Sequence, residues 1–254
     1  MRFRKALPPG ADSQDVEEGR MPFLAHLGEL RQRIMVALIA LGLGFIATFS
    51  FSERLITWMA QPIEPIKLVF LEPTEPFWVN MKVALIAGAF LVLPVLLYQV
   101  WAFIAPGLLP HERRFALPFV VLSTLMFFVG ATFALKVIIP FAVKFLVSYK
   151  TQNLVPTLSV NRYVDFVLKF TLAFGLVFEL PLALTLGTRL GLVTPEFLSK
   201  NRKYAILLCF VAAAILTPTP DAFNQLLMAG PLCLLYEAGI VAARLFGRRK
   251  PAAA

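Results

Sequence analysis

Three carboxylates carry most of the chemistry open to this chain. Glu29 stands in HLGELRQR (residues 26–33), four places before Arg33. Glu112 stands in YQVWAFIAPGLLPHERR (98–114), against Arg113 and Arg114, and Glu179 stands in LVFELPLAL (176–184) with apolar neighbours on both sides. An acid four residues ahead of an arginine is the favourable order for a helix-surface pair, contributing about 0.3–0.5 kcal/mol. A carboxylate beside two arginines reads first as a rim charge. What raises a functional reading for both acids is that they lie in segments otherwise dominated by cations. Glu179 is different, because an ionised carboxylate inside a bilayer costs at least a few kcal/mol. One helical turn away, positions 175, 176, 182 and 183 are Gly, Leu, Leu and Ala, so its own helix offers no base. It must be protonated, paired from another helix or facing water, and by default such an acid lines a cavity or pathway.

The other polar groups read as structural. Lys169 follows Asp165 by four residues, and Glu237 lies within reach of Arg244 near the end of the last apolar run. Asp221, Asn224 and Gln225 cap the start of that run, and the same groups could hold a neighbouring helix within lipid. Enzymatic chemistry finds no footing: there is no GxxxxGK[ST], HExxH or GxSxG, and His26 and His111 stand away from any buried serine in sequence. Cys209 and Cys233 lie in apolar runs without CxxC spacing, which argues against a metal site or structural disulfide. No cofactor is expected.

The elements that must position these residues are set by composition. Of 254 residues 59% are hydrophobic and 15% charged, where a soluble domain carries about 25% charged. Apolar runs over 34–51, 83–104, 115–141, 163–187, 204–217 and 225–243 predict six membrane-spanning helices. The fifth run would rise only about 21 Å at 1.5 Å per residue, and the tight TPTPDAF turn behind it makes the last two runs a short helical hairpin. Residues 22–33 read as an amphipathic surface helix, and 1–20 as a mobile polar tail. Pro94, Pro118, Pro140, Pro181 and Pro231 fall within the runs and predict a bent wall of helices.

The net charge of +9 does not mark a nucleic-acid binder, because the cations sit in the short connections between apolar runs. Two thirds of the 24 basic residues precede the first run, follow the second or fourth, or end the chain, which places those segments and both termini in the cytoplasm. No internal repeat is visible.

HLGELRQR, YQVWAFIAPGLLPHERR, AFGLVFELP (173–181) and TPTPDAFNQ (217–225), in that order, resemble the TatC family, the multispanning subunit of the twin-arginine protein translocase; the likeness covers residues 22–247. It implies an all-α membrane protein with six helices, N-in and C-in, forming a curved, glove-like wall with short helices 5 and 6. The expected division is a flexible cytoplasmic tail over 1–20, a membrane domain over 21–247 and a basic tail over 248–254. The resemblance further implies a non-enzymatic receptor in a bacterial-type inner membrane that binds twin-arginine signal peptides of folded cargo. Such a receptor works with the single-span partners TatA and TatB and uses the proton motive force. Signal contacts are then expected at Glu29, Glu112, Phe103 and Arg31, with Pro106 helping to hold the loop. Groove and translocation roles fall to Glu179, Pro62 and Asp221, and partner-helix contacts to Gln225 and Thr217, while Asn224 stands where many relatives have serine. The rival class is a proton-coupled small-solute transporter using Glu179; it needs paired halves that the sequence does not contain.

Overall fold

The computed structural model describes residues 11–64, 66–104, 116–148, 157–217 and 221–246, with side chains on the first helix from Leu27 onward. Almost all of this is helix. Helix α1 (Ala11–Phe49) is followed by α2 (Ser52–Ala60), a single tight turn at Gln61–Ile63, and strand β1 (Leu68–Val69). Then come α3 (Glu75–Leu91), α4 (Leu93–Ile104) and α5 (Ala116–Phe133), which passes through a π-helical turn at Ala134–Ile138 into α6 (Ile139–Ser148). Strand β2 (Leu158–Ser159) leads into α7 (Val160–Phe178) and α8 (Leu180–Arg189), and α9 (Pro195–Lys200), α10 (Arg202–Leu216) and α11 (Ala222–Phe246) complete the order. β1 and β2 pair in parallel, Leu68 opposite Leu158 and Val69 opposite Ser159, a small departure from an all-helical chain.

Among the described residues, four helical stretches are long and apolar enough to cross a membrane: Leu27–Phe49, Leu117–Ser148, Val160–Arg189 and Ala222–Phe246. A fifth is the pair Glu75–Leu91 and Leu93–Ile104, bent by 60°. Helix α10, at 15 residues, rises about 22 Å and is as short as its sequence predicts. The final helix is not short. Its 25 residues rise about 37 Å, because Asp221 starts it earlier than the apolar run suggests and Arg244 continues it through Phe246.

The amphipathic segment 22–33 is not a separate surface helix but part of α1; no proline interrupts the chain from Phe23 to Phe49, and the helix carries straight into the bilayer-length stretch. The backbone is already helical from Ala11, within the stretch read as a mobile tail.

Prolines act unequally. Pro94 and Pro181 each stand two residues after a break, at Val92 and Glu179. Neither can donate to the carbonyl four residues back, so the ladder is interrupted there and the chain can turn. Pro118 sits in the first turn of α5, where a missing N–H costs nothing, and Pro231 stays inside an unbroken α11. At Pro140 the preceding π turn takes up the extra space.

Helix α7 runs through the core with Val164, Val167, Phe170 and Phe174 fully buried. It packs on α3 and α5, while α11 packs on α8 and α10, and α1 on α3 and α4. Where α1 crosses α3, glycine meets glycine: a Cβ on Gly88 would lie 2.6 Å from the Gly44 carbonyl carbon, and Thr48 Oγ1 donates to Ala84 O at 2.7 Å. Small residues of this kind let helix backbones approach in lipid.

Two ion pairs differ from those the helical spacing suggests. Asp165 is bonded by Lys82 of α3 at 2.8 Å, and Lys82 also donates to Asn161, so Lys169 is not its recorded partner. Glu237 is bonded at both oxygens by Arg202 (2.7 and 2.8 Å), while Arg244 donates instead to Ser199 Oγ at 2.5 Å. In each case a cation from another helix outcompetes the local one, because tertiary packing brings it to the carboxylate with its side chain extended.

Candidate functional site

The predicted residues fall into separate regions. Glu29 lies on α1 between helix and solvent, its side chain 31% exposed, and one of its oxygens receives both Nε (3.0 Å) and Nη2 of Arg33. The one-turn spacing and the straight helix together produce this contact. Arg31 is exposed on the same helix. Phe103 lies half-buried in the last turn of α4, a helix packed against α1. Glu112, with Pro106, Arg113 and Arg114, lies outside the described residues.

Glu179 occupies the break between α7 and α8, closing one helix and opening the next. Ser123 Oγ of α5 donates to its Oε2 at 2.5 Å, and its Oε1 is buried with no partner among the described residues. The carboxyl therefore meets a hydroxyl from another helix, in keeping with the absence of a base on its own. It lines a cavity of about 200 Å³ bounded by α4, α5 and α8, together with Trp101, Ser123 and Leu186. A larger apolar cavity of about 900 Å³ opens beside it between α4 and α5, lined by Pro94, Tyr98, Thr124, Phe128 and neighbours. Val120 borders both, but Glu179 borders only the smaller.

Pro62 does not end the first span directly, since α2 intervenes. It lies in the turn after α2 and lines a cavity of about 250 Å³ with Trp58, Gln61 and Lys136. Thr217 closes α10, and Asp221 and Gln225 stand at the start of α11. Thr217 caps α10 through Ala213 O (2.7 Å), Asp221 accepts from Asn224 N and Nδ2 (2.8 and 2.9 Å), and Gln225 Nε2 donates across to Phe210 O (3.1 Å). Asn224 itself is fully buried.

Several polar contacts escape a reading by helical spacing. Glu75, buried at the start of α3, accepts from Leu71 N (3.0 Å) and Ser159 Oγ (3.3 Å), tying the connection between α2 and α3 to the strand pair. Tyr163 donates from α7 to Met59 O of α2 at 2.7 Å. Ser123 and Trp101 border the Glu179 cavity. The only signal for Ser123 was a hydroxyl within a run of apolar residues; Trp101 gave none beyond its place in the 98–114 motif.

The family profile described as Sec-independent protein translocase protein (TatC) matches residues 25–231. A protein named Sec-independent protein translocase protein TatC from Desulforapulum autotrophicum is 44% identical, with 92% of this chain and 88% of that protein covered. One of the same name from Aquifex aeolicus is 41% identical over 91% of this chain and 98% of its own. A crystal structure described as the twin arginine translocase receptor TatC superposes with a TM-score of 0.78 at 41% identity, covering 88% of this chain and all of that one. Profile, curated relatives and solved fold agree along nearly the whole length, and the chain belongs to the TatC family.

Proposed function

We propose that the chain is the receptor and core subunit of a twin-arginine translocase, a non-enzymatic, multi-pass protein of the inner membrane. Folded cargo is recognised at its cytoplasmic face through consecutive arginines in an N-terminal signal, with Glu29 and Glu112 as acceptors and Phe103 and Arg31 beside them. The observation that carries this reading is Glu29: partly exposed, on a family-matched helix, it already engages a guanidinium through one carboxylate oxygen. A signal arginine that shares or displaces Arg33 makes the same charge-assisted contact.

The apolar part of the signal would lie along the cavities flanked by α4 and α5, with Glu179 lining the smaller of them. TatA and TatB helices would meet the α10–α11 turn through Thr217 and Gln225, with Pro62 and Asp221 acting in translocation driven by the proton motive force. Six helices with both termini cytoplasmic, bent at Val92 and Glu179 into a curved wall, complete the reading, with residues 21–247 as the membrane domain. Pull-down with a signal peptide bearing Arg-Arg against one bearing Lys-Lys tests it. Selective retention of the Arg-Arg peptide, lost in Glu29→Ala and in Glu112→Ala, is the expected result; equal retention in the parent and both variants removes the assignment.

A further inference from the structure

The cavity of about 200 Å³ beside Glu179 has two buried polar atoms in its lining residues that no group among the described residues satisfies, and they are of opposite kinds. Trp101 is 5% exposed, and its Nε1, which can only donate, has no acceptor. Glu179 Oε1 has no donor, although Oε2 is held by Ser123. The indole cannot readily swing away, because it is stacked on Phe119 with ring centroids 4.4 Å apart. Burying either atom without a hydrogen-bond partner is unfavourable, since its hydration is lost and nothing replaces it. The cavity far exceeds the roughly 30 Å³ that a water molecule occupies in the liquid, and Ser123 Oγ adds a third polar partner.

We propose that this cavity is a built water site, in which Trp101 Nε1 donates to ordered water that in turn donates to Glu179 Oε1. It links α4 to the break between α7 and α8. Trp101 is then a positioning residue for Glu179: with Ser123 on one oxygen and the bridging water on the other, the carboxyl is fixed from two sides. Lone apolar packing would not need an indole here, since phenylalanine fills most of the same space without stranding an N–H. The inference concerns the cavity alone and stands whether or not the chain binds signal peptides.

The test uses the full chain in lipid nanodiscs with Trp58→Phe and Trp78→Phe, which leaves Trp101 as the remaining one of three tryptophans. Ultraviolet resonance Raman reads the hydrogen-bond state of the indole N–H. The expected result is a bonded N–H that exchanges promptly in D2O and shifts to the unbonded position in Glu179→Leu. An unbonded N–H in the parent, or a bonded one unmoved by Glu179→Leu, overturns the proposal. So does a bonded N–H that resists exchange for hours, which marks a protein acceptor. Should Glu179→Leu fail to fold, infrared spectroscopy of Trp101→Phe reads the other end: the Glu179 carboxyl band moves if the bridge exists, and an unmoved band refutes it.

Discussion

At the residue level, Glu29 is a carboxylate with a resident guanidinium, and that pairing separates two roles. If it only braces α1, its removal costs about 0.3–0.5 kcal/mol and Arg33→Ala is equivalent to Glu29→Ala. If it receives a signal arginine, the two variants diverge: Glu29→Ala weakens Arg-Arg peptide binding by about 10-fold, one charge-assisted hydrogen bond, while Arg33→Ala leaves binding unchanged or tighter because a competitor has gone. Isothermal titration of both variants decides between them, and equal weakening in both refutes the acceptor role. Glu179 has a different prediction. Its carboxyl is held by Ser123 beside a helix break, remote in sequence from the α1 acid, so Glu179→Ala should lower cargo export in a vesicle assay far more than initial peptide docking. Equal losses in both assays would count against a groove role.

Among the elements, the two broken helices and the glycine crossing decide the shape of the wall, and here the limits of sequence reading are plainest. Five prolines in apolar runs all predicted bends, yet Pro231 sits in a continuous helix and Pro118 in a first turn. A proline's position relative to the eventual helix start is not contained in hydropathy. Local spacing also misassigned two ion pairs: Lys82 and Asp165 are 83 residues apart, and no i,i+4 count can find such a contact. The apolar runs themselves, the short α10 and the capping by Asp221 were legible because they depend on neighbours in sequence. The close approach of Gly44 and Gly88 was not. It predicts that Gly88→Ala, whose new Cβ meets backbone at 2.6 Å, costs about 1–3 kcal/mol by forcing α1 and α3 apart. Gly42→Ala on α1 meets nothing within 4 Å and should be neutral or stabilising. Thermal unfolding in detergent checks the pair, and a Tm unchanged in both would show the crossing to be looser than the structure has it.

For the whole molecule, charge is sorted to the two ends by contacts that cross the fold. At one end Arg189 Nε donates to Phe246 O (3.0 Å), Arg202 holds Glu237 and Arg244 holds Ser199, so the closes of α8 and α9, the start of α10 and the last turns of α11 form one interlocked basic rim with Lys200 and Lys203. The opposite connections are joined by β1 and β2, by Tyr163 to Met59 and by Glu75 to Ser159, and Lys82 nearby is paired with Asp165. Two thirds of the 24 basic residues fall in the segments at the rim end or at the chain termini, which is the bias that keeps loops in the cytoplasm. The rim of α9 should therefore face inward and the strand pair outward. In a chain with Cys209 and Cys233 replaced by alanine, Lys67→Cys, exposed beside β1, should react with a membrane-impermeant maleimide added to intact cells, whereas Glu196→Cys, exposed on α9, should react only after the membrane is opened. Labelling of Glu196→Cys in intact cells would invert the molecule, carry Glu29 with it to the outer face if α1 begins at the rim side, and leave no cytoplasmic carboxylate on that helix for a signal arginine to reach.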